Sequence, residues 1–235
     1  MHPLRPVHSL VYEGLVAVVS QVPLEEFGAE ALRARLEDAA WLEREVRGHE
    51  RVIEKVMQRR PVLPMKFCTI FLTEDNVRAF LQRDQDEFRR ALARLRGREE
   101  WEVKIYHHPP SPPTTRACGS ALSGREYLMQ KNAAELAAQE AAVETCSQAQ
   151  RMFEMLTGCV DEIELKPVAP SRSPGSPRLV LDAVCLLAKP RLKAFSQQLE
   201  GLGNELSSRG FHFQLSGPWP PYHFCNQAPE NVDLS

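Results

Sequence analysis

Apolar and polar positions along the chain follow two different periods, and the change from one to the other marks the elements. Residues 7–12 and 15–20 are β-rich runs separated by Glu13-Gly14, a two-residue turn signal, so the chain opens with a predicted hairpin. Val22-Pro23 ends the second run, because proline has no N–H to give to a ladder. Helical spacing follows over 29–60, in two pieces broken near Asp38. Leu42, Val46, His49, Ile53 and Val56 make one face of the second piece, and Pro61 closes it. Residues 62–72 read as a strand. Thr73 stands as N-cap of the next helix, with Glu74 and Asp75 in its first turn, favourable against the helix dipole. Val77, Leu81, Phe88, Leu92 and Leu95 form its buried stripe, and Gly97 is a natural stop. Over 100–106, Trp101, Val103 and Ile105 alternate with Glu102, Lys104 and Tyr106, as in a half-buried strand.

Pro109, Pro110, Pro112 and Pro113 then make a semi-rigid extended connector. The expected organisation is an N-terminal α+β domain over 1–108, a Pro-rich linker over 109–122, and a C-terminal α+β domain over 123–235. The C-terminal domain begins with a helix over 123–156, roughly 50 Å long at 1.5 Å per residue. Ala133, Ala134, Ala137, Ala138, Ala141 and Ala142 form two adjacent columns on it, a narrow face that another element can approach closely. That face either docks on the sheet of its own domain or seats a partner helix. Strands over 163–168 and 178–187 flank a Pro/Ser/Gly loop at 169–177. A helix over 191–208 buries Leu192, Phe195, Leu199, Leu202 and Leu206, Gly210 ends it, and a last strand covers 211–215. The fold class that follows is α+β. Two ferredoxin-like domains, each an antiparallel sheet plus helices, are joined by the Pro-rich linker, with the long helix after it. The short tail at 229–235 is expected to fray.

Composition narrows what such a protein does. The 235 residues carry 29 Lys plus Arg against 31 Asp plus Glu, and 43% are apolar, enough for one or two cores. A net charge of −2 leaves no electrostatic footprint for duplex nucleic acid. No apolar run reaches the ~18 to 20 residues of a membrane span, and residues 1–10 lack the apolar stretch of an export signal. A cytoplasmic protein is the expectation. The six cysteines include no C-x-x-C pair, so they are read as small buried apolar residues and structural zinc is not expected.

No catalytic, metal-binding or cofactor-binding residue is assigned. His49 lies on the apolar stripe of its helix and lacks the second histidine of H-E-x-x-H. His107 and His108 beside the linker read as solvated loop residues. No serine occupies a G-x-S-x-G elbow, Cys68 sits inside a predicted strand, and no phosphate loop is present. The adjacent carboxylates Glu25-Glu26, Glu99-Glu100 and Asp161-Glu162 do not predict a shared cleft, since neighbours on a strand point to opposite faces. Phe211 and Phe213 share one face of the last strand, as an RNA-binding sheet would require, but the basic surroundings are thin.

The segment Ser216-Gly217-Pro218-Trp219-Pro220-Pro221-Tyr222-His223-Phe224 stands out. Its three prolines argue against an internal strand or helix, and Trp219, Tyr222 and Phe224 are costly to leave in water. It either folds back on its own domain or anchors another protein. Ala133, Ala137, Ala141, Trp219, Tyr222 and Phe224 are therefore the candidate protein-interaction residues.

That segment, with others in the same order, resembles the gas vesicle protein L/F (GvpL/GvpF) family. The matching strings are Leu15-Val16-Ala17-Val18-Val19-Ser20, Val22-Pro23-Leu24, Trp41-Leu42 and His49-Glu50-Arg51-Val52. Val62-Leu63-Pro64-Met65-Lys66-Phe67-Cys68-Thr69, Glu100-Trp101-Glu102-Val103-Lys104 and Gly124-Arg125-Glu126-Tyr127-Leu128 follow, before the segment just described. The family's opening Tyr-x-Tyr-Gly-like strand has no counterpart in residues 1–6, so its contacts are not carried over. The resemblance implies a two-domain accessory protein without catalytic activity or cofactor, at the gas vesicle or in the cytoplasm. It would take part in nucleating or assembling the vesicle by binding the small hydrophobic shell protein and other accessory proteins, with no nucleic acid and no membrane as partner. The alternatives left standing are a ferredoxin-like small-ligand-binding protein or enzyme using the His49 region, and an RNA-binding protein.

Overall fold

The computed structural model describes residues 6–108, 124–169 and 176–225, and the chain divides into two compact units. Unit 1 comprises residues 1–98 and 220–235, and unit 2 comprises 99–219.

Unit 1 opens with β1 (Val7–Tyr12) and β2 (Leu15–Ser20), an antiparallel pair closed at Tyr12↔Leu15. Glu13 and Gly14 have φ of 42° and 84°, the two positive values that a type I′ turn needs. Leu15, with Tyr12 and Ala17, packs against Phe80, Leu81 and Phe88. After α1 (Leu24–Phe27) and α2 (Ala29–Leu36), Asp38 caps α3 (Ala39–Met57) by accepting from the N–H groups of Ala40 and Trp41. Trp41 is buried between Phe27 and Phe67, with ring centroids 5.3 and 6.4 Å away.

Residues 62–72 are not a strand. Pro61 and Pro64 have no N–H for a ladder, and the chain turns at Cys68, where φ is 65°. The apolar residues of this stretch serve as packing instead: Leu63, Met65 and Phe71 cover the cluster under β2, while Phe67 meets Trp41. The helix expected over 74–95 is two, α4 (Glu74–Arg83) and α5 (Gln85–Leu95). Asp84 leaves the helical region at the break, and Phe80 and Phe88 face each other across it at 5.1 Å. Thr73 caps α4 as expected, accepting from Asn76 N–H.

Unit 2 runs β3 (Arg98–His107), α6 (Gly124–Thr157), β4 (Glu162–Leu165), β5 (Arg178–Ala188), a 3₁₀ turn (Lys189–Arg191), α7 (Leu192–Ser207) and β6 (Phe211–Trp219). The strands form one sheet in the order β4-β5-β3-β6, with β4/β5 and β3/β6 antiparallel. One face carries Val103, Ile105, Leu181, Ala183, Cys185, Leu187 and Phe211, packed with Met152 and Leu156 of α6 and Phe195, Leu199 and Leu206 of α7.

Two expectations change here. The N-terminal domain expected over 1–108 includes β3, yet β3 is an internal strand of the unit 2 sheet. Its alternation shows that it is a strand and cannot say which sheet receives it. The chain also returns to unit 1 after Trp219. Among the described residues, unit 1 has only a two-stranded sheet, so the pair of similar four-stranded domains is not found. The Pro-rich linker, most of the 169–177 loop and the tail lie outside the described residues.

Candidate interaction surfaces

The long helix shows where apolar surface is left uncovered. Among its described side chains only the C-terminal third is packed: Ala149, Met152 and Leu156 are buried. Ala133, Ala137 and Ala141 are exposed, so this column does not dock on the unit's own sheet. Tyr127, Leu128 and Met129 are exposed with them, and Leu136 and Val143 are 59% and 71% exposed. Met129, Leu136 and Val143 recur at seven-residue spacing, and Ala133 lies between the first two on the same side. A helix of 34 residues that buries one end and presents an apolar seam along the rest has surface beyond what its own unit uses.

The Pro-Trp-Pro-Pro-Tyr segment divides between the two readings the sequence allowed. β6 continues through Pro218 to Trp219, beyond Leu215 where the last strand is expected to end. Proline is tolerated because β6 is an edge strand and the pairing with β3 becomes irregular there, Glu102↔Ser216 being followed by Glu100↔Trp219. Gly217 is required at this point: its φ is 143°, and a Cβ would lie 2.9 Å from the Trp101 ring. Trp219 is 47% exposed and gives its indole N–H to Ser216 Oγ at 3.3 Å.

Beyond it, in unit 1, Phe224 is only 1% exposed, so it is a core residue and not an accessible anchor. Tyr222 is half-buried and donates to Glu50 Oε1 at 2.9 Å. Burial, then the bond to Glu50, pushes its phenol well above the usual tyrosine range. Of the six candidate residues, Ala133, Ala137, Ala141 and Trp219 therefore remain open to a partner.

A further surface was not singled out from sequence. The outer face of the hairpin exposes Val7, Val11, Val16 and Val18, and Val11 stands opposite Val16. The signal was present: Leu15 to Val19 is a continuous apolar run, which suits a strand covered on both faces, whereas a one-sided strand alternates.

The residues weighed for chemistry are occupied structurally. His49 donates from Nε2 to the Met65 carbonyl at 3.0 Å and meets Phe67 edge-on at 5.8 Å. His107 is not a loop residue; it ends β3 and lies 4.7 Å from the Phe211 ring. Phe211 and Phe213 belong to the helix-facing side of the sheet, where they cannot stack bases. Of the cysteines, Cys185 alone is fully buried among the described residues, its thiol pushed up to about 12 by burial; Cys146 is exposed. Among the described residues no group of three His, Cys, Asp or Glu could hold a metal ion, and no helix is long and apolar enough to cross a membrane.

The family model described as gas vesicle synthesis protein GvpL/GvpF matches residues 2–226. The chain belongs to the GvpL/GvpF family. It is 32% identical over 233 residues to gas vesicle protein L of Streptomyces sp. (strain CB03234), covering 97% of this chain and 86% of that one. Among solved structures it is similar to GvpF from Anabaena sp. PCC7120, with a TM-score of 0.67 at 21% identity, over 95% of this chain and 89% of that one. It is also similar to GvpF from Microcystis aeruginosa, with a TM-score of 0.62 at 18% identity, over 95% and 90%. The GvpF structures share its mixed helix and antiparallel sheet fold.

Proposed function

We propose that this GvpL/GvpF family member is a non-catalytic accessory factor of gas vesicle assembly, binding the small hydrophobic shell protein and other accessory proteins. A wall that faces gas needs subunits with apolar surface, and such surface aggregates in water before assembly. A factor that covers it must itself present apolar contact area. The observation carrying the reading is the exposed seam of α6, Met129, Ala133, Leu136 and Val143, continued by Ala137 and Ala141. An amphipathic partner segment laid along such a face is a recurring mode of recognition. Trp219 and the outer valines of the hairpin add further apolar contact area. The β-α-β-β-α-β succession of unit 2 supports a ferredoxin-like reading of that unit. It serves here as the scaffold that holds α6 and Trp219, with the protein acting at the vesicle or in the cytoplasm around it.

Co-purification with the shell protein tests the proposal. Wild-type chain should retain it, and Leu136→Asp, Ala137→Glu and Trp219→Ala should each weaken retention while the fold survives. Undiminished retention by all three folded variants would remove these surfaces as the contact.

A further inference from the structure

The two edges of the unit 2 sheet are built differently. β4 is four residues long and carries Glu162 and Glu164, the short charged edge that discourages further pairing. β6 is nine residues long, and its stretch from Phe211 to Leu215 has neither lysine nor proline. Pairing with β3 sets which backbone groups it leaves open. His108 N–H donates to the Gly210 carbonyl at 2.8 Å, and the register continues through Tyr106↔His212 and Lys104↔Gln214. Antiparallel bonding alternates, so the N–H and C=O groups of Phe211, Phe213 and Leu215 point away from β3. Among the described residues nothing pairs with that edge. Beside it lies a groove of about 650 Å³ between α7 and β6, with Leu199, Phe211, Phe213 and Leu215 as apolar lining and Glu200 and Asn204 among its polar residues.

We propose that this edge is a homodimer interface, occupied by β6 of a second copy running antiparallel about a two-fold axis at Phe213. The strand is self-complementary in this register. Phe213 faces its own copy and Phe211 faces Leu215, so all the outward N–H and C=O groups pair, making about six hydrogen bonds. The same register sets Phe213 against Phe213 and Phe211 against Leu215 on the helix side, aromatic and aliphatic cross-strand pairs that fill the two grooves jointly. On the other face His212 meets Gln214, which places no like charges opposite each other. Because the two-fold uses the same edge of both copies, the contact closes as a dimer and does not propagate, and Pro218 offers no N–H for extending the ladder beyond it.

The chain alone tests this, independently of any shell protein. Sedimentation equilibrium should give a dimer. Gly203→Lys fills the groove, where a Cβ meets only the Phe213 ring at 3.6 Å, and should weaken self-association at least about tenfold without unfolding. The register is read separately: His212→Cys/Gln214→Cys should form a disulfide-linked dimer under mild oxidation that the wild-type chain does not, since residues 212 and 214 would stand as a close non-hydrogen-bonded pair. A monomer at all concentrations would overturn the proposal. So would a dimer that Gly203→Lys leaves intact and the paired cysteines fail to cross-link, or an edge filled by a strand of another protein.

Discussion

The Tyr222 hydroxyl donates to Glu50 on α3 across 172 positions of sequence, fastening the segment after β6 onto the first unit. Phe224 two residues on is buried, and the Arg94 guanidinium reaches toward its carbonyl. Removing only the hydroxyl, in Tyr222→Phe, should cost about 1 kcal/mol, the ordinary net worth of one hydrogen bond. Phe224→Ala should cost roughly 3 to 5 kcal/mol, because it empties a filled core site. Urea unfolding of both variants gives the two values. A surface anchor would show the reverse pattern, with stability unchanged in Phe224→Ala.

Glu102 gives a prediction in pH. Burial works to raise its carboxyl pKa, but hydrogen bonds from Lys166 and Lys104 outweigh that and hold it at about 2, against 4.5 for the free group. The folded state therefore binds this proton less readily than the unfolded chain does. Its contribution is complete above about pH 4.5 and is lost as pH falls through about 2. Glu102→Gln should lower neutral-pH stability by roughly 2 kcal/mol and flatten the acid limb of the melting curve. A variant with the wild-type acid limb would contradict the assignment.

The cap at Asp38 should behave as an isolated local term. Its carboxylate accepts from Ala40 and Trp41 N–H at 3.1 and 3.2 Å, so Asp38→Ala leaves two first-turn donors without it. About 1 kcal/mol of stability should disappear, with little change for Asp38→Asn, whose side-chain oxygen accepts equally well. Thermal melting of the two variants distinguishes loss of the cap from loss of the charge.

The open seam of α6 should be inert to folding. Leu136→Asp and Val143→Asp replace side chains that touch little in the isolated chain, so each should stay within about 0.5 kcal/mol of wild type. Circular dichroism melts check this. A loss of several kcal/mol would mean that the seam is covered within the protein itself.

Much of this fold was legible in the order of residues. The hairpin followed from Glu13-Gly14, the helix starts from Asp38 and Thr73, and the C-terminal strands and helix from their periods. These are local effects, decided within a few residues. What could not be read was tertiary. The run at 62–72 has strand composition, but it finds no ladder and packs as an irregular cover. The alternation of β3 is equally compatible with either sheet, and only the complete set of partners decides between them. At the candidate surface, composition suggested that Trp219, Tyr222 and Phe224 act together. The chain divides them: the tryptophan stays in solvent while the phenylalanine becomes core. Burial of that kind depends on what folds over a residue, which spacing along one strand does not encode.

The placement of β3 also governs how the molecule can be taken apart. Cutting at the proline run would strip a central strand from its sheet and leave it attached to the wrong fragment. A separately expressed second half has to begin near Glu99 and stop near Trp219. The first half, in turn, would miss its closing segment unless residues 220–225 were supplied as a peptide or grafted back.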